Sequence, residues 1–172
     1  MLNNRLLEGS TEEAGQRVIL FAGDDEDDAL LVRQALEKSR LINSLYVVRT
    51  GESALAYLNG EGSFSDHAQH PVPELFLLDL KLPGLDALTV LRKLRQQLHL
   101  NRMRVVVLAS WDQTAQINQA LQAGANSFLF KPVRTERFID TMMTMKGGWV
   151  WVNSPHLMCQ PTPTNPVNLS AG

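Results

Sequence analysis

Apolar residues along this chain fall into two alternating patterns. One is the short unbroken run: Val18-Ile19-Leu20-Phe21-Ala22, Leu45-Tyr46-Val47-Val48, Leu75-Phe76-Leu77-Leu78, Val105-Val106-Val107-Leu108 and Ser127-Phe128-Leu129-Phe130. Such runs, bounded by turn residues, predict strands buried on both faces. The other is the stripe at helical spacing. Between Asp27 and Ser39 it is carried by Leu30, Leu31, Ala35 and Leu36, and between Glu52 and Asn59 by Ala54, Leu55 and Leu58, stopped by Gly60. From Asp86 to Leu98 the inward positions are Leu88, Leu91, Leu94 and Leu98, with Arg92, Lys93 and Arg95 outside. Asp112 to Ala123 places Ile117, Ala120 and Leu121 inward before Gly124, and Arg134 to Met145 aligns Phe138, Met142 and Met145. Strand and helix alternating five times, with short connections, predict a parallel sheet covered on both sides. The stretch from Gly60 to Pro73 has no period and is polar, so it is expected on the surface, away from the compact core.

Composition narrows the class. The chain has 172 residues, 44% hydrophobic and 20% charged, ordinary values for a globular domain. Sixteen basic and eighteen acidic residues leave a net charge of −2, which offers no electrostatic footprint for nucleic acid. Cys159 is the single cysteine, so neither a disulfide framework nor a cysteine zinc site is expected. His67, His70, His99 and His156 lack ligand spacing. No stretch in the first sixteen residues reads as a signal peptide or membrane span, and the expectation is a cytoplasmic protein. Beyond Lys146, Trp149 and Trp151 either cover the last helix or form a contact with a second copy, and the Pro/Thr/Asn-rich end reads as a flexible tail.

Candidate chemistry sits where strands stop. Asp24 and Asp25 follow the first run, Asp79 ends the third and Lys131 ends the fifth. In an open α/β sheet this is the edge at which ligands bind. Asp27 and Asp28 read as first-turn acids favoured by the helix dipole. No glycine-rich phosphate loop follows the first strand, which argues against a nucleotide or flavin site.

Asp24-Asp25, Asp79-Leu80-Lys81-Leu82-Pro83-Gly84 and Ala123-Gly124-Ala125-Asn126-Ser127-Phe128-Leu129-Phe130-Lys131-Pro132 together resemble the response-regulator receiver domain of two-component signalling over about Val18 to Met145. The acidic opening, the Gly60–Pro73 loop and the Trp-Val-Trp-Val-Asn ending are similar to the small single-domain regulators that partner bacterial phytochromes. The resemblance implies a flavodoxin-like (βα)5 doubly wound sheet of five parallel strands, with an N-terminal extension at 1–16, a receiver domain at 17–146 and a C-terminal tail at 147–172. It implies a signalling protein rather than an enzyme, with a sensor histidine kinase, a phytochrome among the candidates, as partner. Asp79 is then the phosphoryl acceptor and Lys131 the cation that pairs with it and with the phosphoryl group. Asp24, Asp79 and the backbone carbonyl of Lys81 are the expected Mg2+ ligands, with Asp25 assisting. Phe128 stands at the switching aromatic.

Two departures from the family pattern bear on that reading. Gly23 stands where a second acid is usual, and Ala109 where a Thr or Ser contacts the phosphoryl group, with Ser110 next along the chain as the candidate replacement. Asp86-Ala87 in place of Asp-Gly is minor. A phosphorylation switch and a degenerate, phosphorylation-independent binding or dimerisation module therefore remain the two function classes.

Overall fold

The computed structural model describes residues 17–39 and 43–145. The expectations placed on the N-terminal extension, the tail, Trp149, Trp151, His156 and Cys159 lie outside the described residues.

Five strands, β1 (Arg17–Ala22), β2 (Asn43–Val48), β3 (Leu75–Asp79), β4 (Arg104–Ala109) and β5 (Ser127–Phe130), alternate with α1 (Glu26–Lys38), α2 (Gly51–Asn59), α3 (Ala87–Gln96), α4 (Thr114–Gln122) and α5 (Thr135–Thr144). All neighbouring strands are parallel, in the order β2-β1-β3-β4-β5. This is the doubly wound sheet expected from the alternation.

Because successive strand residues face opposite ways, each apolar run feeds two cores. Leu20, Phe76, Leu78, Val105 and Val107 pack against Ala54 and Tyr57 of α2, Val90, Leu91 and Leu94 of α3, and Ala120 of α4. Ile19, Phe21, Leu75, Leu77, Val106, Leu108 and Leu129 meet Val32, Ala35 and Leu36 of α1 and Phe138 and Met142 of α5. Each fully buried side chain of this kind contributes about 1.5–3 kcal/mol. Two opposed cores fix the pleat of every central strand, and with it the position of the residue where each strand ends.

The helix faces differ from the expectation at four places. Leu98 is 89% exposed, because α3 stops at Gln96 and Leu100 takes the buried position beyond it. Leu30 is 51% exposed, and Val32 carries the buried stripe of α1 instead. Leu121 is also partly exposed. Arg95 does not lie outside: its guanidinium donates to the carbonyls of Gly124, Met103, Asn101 and Leu100 and to Asn126 Oδ1, tying α3 to the loops around β4 and β5.

The stretch from Gly60 to Pro73 is largely exposed, as expected, but it packs back on the core through Phe64. Gly60, at φ 64°, closes α2 in the left-handed region. A short turn at Gly62–Phe64 then brings the Phe64 ring to 5.2 Å and His70 to 5.8 Å from Tyr57. The Tyr57 hydroxyl donates to the Pro71 carbonyl at 3.1 Å. Two rings, Phe64 and His70, spaced along a polar segment leave no periodic signal, so the pattern concealed their packing on Tyr57 of α2.

Candidate functional site

Asp79 is the last residue of β3 and only 1% exposed. Its two carboxylate oxygens have different partners. The Lys81 backbone N–H donates to Oδ1 at 2.8 Å, and the Lys131 ammonium donates to Oδ2 at 2.9 Å. The strand order explains this meeting. β3 is central, β5 lies two strands away, and the turn after β5 carries Lys131 back toward β3. The Lys131–Pro132 peptide is cis, and the Lys131 N–H donates to the Ala109 carbonyl at 2.9 Å.

Lys131 has a second acid. Its ammonium donates to Asp28 Oδ2 at 2.8 Å, and Asp28 is 7% exposed. The sequence reading placed Asp28 among the dipole acids of α1, but only Glu26 and Asp27 remain exposed there. The overlooked signal is positional. Asp28 precedes Val32 by four residues and Ala35 by seven, which puts it on the buried stripe of its helix. Burial pulls the Lys131 ammonium down, yet the hydrogen bonds and charges of Asp28 and Asp79 outweigh this and hold it above the usual lysine value.

The other predicted site residues lie in or just after β1, β4 and β5. Asp24 is exposed, in the turn after β1. Asp25 is the N-cap of α1, where its Oδ1 accepts from the Asp27 N–H at 2.8 Å and the Asp28 N–H at 3.3 Å. Ala109 is fully buried at the end of β4, opposite Phe130, and brings no hydroxyl. Ser110 follows in extended conformation, and its N–H donates to Gln113 Oε1 at 2.9 Å. Phe128, 36% exposed, meets Phe130 edge-on at 5.4 Å. Phe130 is in turn stacked by Trp111, a residue the sequence reading passed over.

Gly23 has a local reason. A Cβ there would meet the Phe21 ring at 2.5 Å, and Phe21 is fully buried. The ring occupies the space into which a side chain at 23 would project.

A divalent cation is testable against these donors. Among the described residues no three His, Cys, Asp or Glu side chains converge. Mg2+ does not need such a cage, since it is usually held by one or two carboxylates and keeps several waters. Asp24, Asp79 and the Lys81 carbonyl offer hard oxygen donors, the type that a largely hydrated ion takes.

Comparison with known proteins agrees with this geometry. The family model described as response regulator receiver domain matches residues 19–143. Response regulator Rcp1 of Synechocystis sp. is 29% identical over 141 residues, covering 82% of this chain and 94% of Rcp1. Among solved structures, the bacteriophytochrome response regulator RtBRR superposes with a TM-score of 0.72 at 35% identity, over 82% of this chain and 84% of that one. A Mn2+-bound form of Rcp1 does so with a TM-score of 0.62 at 31% identity, over 70% and 85%. Among the described residues, no helix is long and apolar enough to cross a membrane.

Proposed function

This chain belongs to the response regulator receiver family, and on that premise we propose that it is a phosphorylation switch with Asp79 as the acceptor. The observation that carries the proposal is the pairing of a buried strand-end carboxylate with Lys131 at 2.9 Å. An Asp79 oxygen attacks the phosphorus of a phosphohistidine, the P–N bond breaks, and the imidazole leaves with the bond's electron pair while an acyl phosphate forms. Lys131 stays protonated and meets the charge on the transferred oxygens as a point cation. Lys81 N–H orients the carboxylate through Oδ1. Bound at Asp24, Asp79 and the Lys81 carbonyl, Mg2+ would supply further neutralisation of that charge.

The donor is a sensor histidine kinase. Similarity to the bacteriophytochrome response regulators RtBRR and AtBRR points to a phytochrome-type kinase. The output is a changed surface around α4, β5 and α5, where Phe128, Phe130 and Lys131 line one cavity. One observation favours a second reading, a binding module that needs no phosphorylation: the absence of a hydroxyl at buried Ala109, combined with Gly23 in place of an acid.

Intact mass after incubation with Mg2+ and acetyl phosphate decides between them, with Asp79→Asn alongside. A gain of one phosphoryl group in the parent alone is expected. No gain in a folded parent, with a working control receiver, would overturn autonomous phosphorylation from small donors and favour the binding module instead.

A further inference from the structure

Three facts around Lys131 call for a common account. Its ammonium has three N–H donors, of which one goes to Asp79 and one to Asp28. Asp28 is 7% exposed, and among the described residues its side chain accepts a hydrogen bond from Lys131 alone, so that contact is the main compensation for its burial. The second acid usual at position 23 is absent, and the Phe21 ring fills its place. The helix dipole acts on Glu26, Asp27 and Asp28 alike as first-turn acids, so it does not explain why Asp28 alone of the three is buried and paired with Lys131.

We propose that Asp28 is a positioning residue for phosphoryl transfer: by sharing the Lys131 ammonium with Asp79, it holds that cation at the acceptor through the reaction. The inference rests on Asp79 being the acceptor. When Asp79 becomes an acyl phosphate its contact with Lys131 has to pass from the carboxylate oxygen to the phosphoryl oxygens. Asp28 remains as a fixed counter-charge on α1, so the ammonium does not have to be recaptured from solvent. The third N–H is left for a phosphoryl oxygen. An ammonium on a four-carbon arm has several rotatable bonds, and a second carboxylate cuts the conformations it explores.

The test is the rate of phosphoryl gain from acetyl phosphate with Mg2+, followed by intact mass as donor concentration is varied, at a temperature where every variant is folded. Asp28→Asn keeps shape and removes charge. It is expected to lower the rate constant at saturating donor about ten- to a hundredfold, the worth of one charge-assisted hydrogen bond, and to leave the half-saturating donor concentration nearly unchanged. Asp27→Asn, on the exposed side of the same turn, should match the parent, and Asp28→Glu should recover part of the rate. In a Lys131→Ala background Asp28→Asn should cost nothing further, because the residue acts through Lys131. An Asp28→Asn rate equal to the parent's, or a loss of the same size in both backgrounds, would overturn the proposal. A parent that accepts no phosphoryl group overturns the acceptor reading and this role together, a pattern distinct from a reactive parent with an unaffected variant.

Discussion

Trp111 lies flat on Phe130, with ring centroids 3.7 Å and planes 12° apart, although Trp111 as a whole is 72% exposed. The indole therefore has one face on β5 and one toward water, and Phe130 is joined to Lys131 by a single peptide bond. A movement of the Lys131 backbone would therefore be passed to this stack through Phe130. With Trp149→Phe and Trp151→Phe introduced, Trp111 is the remaining tryptophan, and its fluorescence should shift when acetyl phosphate and Mg2+ are added. The same variant carrying Asp79→Asn should show no shift. Trp111→Ala should lower stability by about 0.5–1.5 kcal/mol, the usual worth of an aromatic pair, read from urea midpoints.

Asp86 gives a pH dependence with a definite sign. It is the N-cap of α3: its Oδ1 accepts from the Thr89 N–H at 3.0 Å and its Oδ2 from the Thr89 hydroxyl at 2.6 Å. The Thr89 hydroxyl and N–H together hold the carboxyl below the usual aspartate value. A depressed folded value means that the contribution is fully present above the unfolded pKa of about 3.9 and is lost as pH falls through the folded one. Asp86→Ala should cost about 1 kcal/mol at pH 7. In paired unfolding curves, the gap between parent and variant should close below pH 4. A gap that persisted to pH 2 would mean that the cap works without its charge.

The alternation of runs and stripes carried the strands, their parallel order and the location of the site, because continuous burial leaves a continuous apolar run. Asp79 and Lys131 were legible for the same reason, each being the first polar residue after such a run. What escaped were side chains whose partners are far along the chain. Asp28 meets Lys131 across 103 residues, and from its neighbours it reads as one more acid in an acidic turn. Arg95 looks like a solvated cation beside Arg92 and Lys93, yet its acceptors come from loops 5 to 31 residues away. Leu98 shows the opposite failure. A period extended two residues past the end of a helix assigns to the core a side chain that the backbone has already turned outward.

Ala109 sets the largest expected gain of function. It is fully buried, and Ala109→Thr adds two heavy atoms to a filled site, at a cost of about 1–3 kcal/mol. A hydroxyl that reaches the phosphoryl group returns about 1.5–3 kcal/mol, but only once that group is present. The thermal midpoint of the unphosphorylated variant should therefore fall while phosphoryl gain from acetyl phosphate speeds up about tenfold or more. In Asp79→Asn only the loss of stability should remain. A destabilised variant with the parent's rate would show that the missing hydroxyl does not limit transfer.

Gly23 is constrained by space rather than by backbone conformation. Its Cβ position lies 2.5 Å from the tip of the Phe21 ring, and that ring is buried among Ile19, Leu77, Leu108 and the side chains of α1. Gly23→Ala should therefore cost about 1–3 kcal/mol, although alanine suits a non-helical turn as readily as most residues do. Phe21→Leu opens the space, so Gly23→Ala in that background should be nearly neutral, and the coupling between the two positions should account for most of the loss. Gly23→Asp carries the same collision and adds a carboxylate beside Asp24. Its midpoint without metal should fall at least as far as that of Gly23→Ala, and saturating Mg2+ should then restore more stability to it than to the parent, because an ion held more tightly by the folded state stabilises it by mass action. Equal recovery in the two proteins would mean that a carboxylate at position 23 does not reach the cation, and that the geometry of the turn, not the missing charge, separates this pocket from those with two acids after β1.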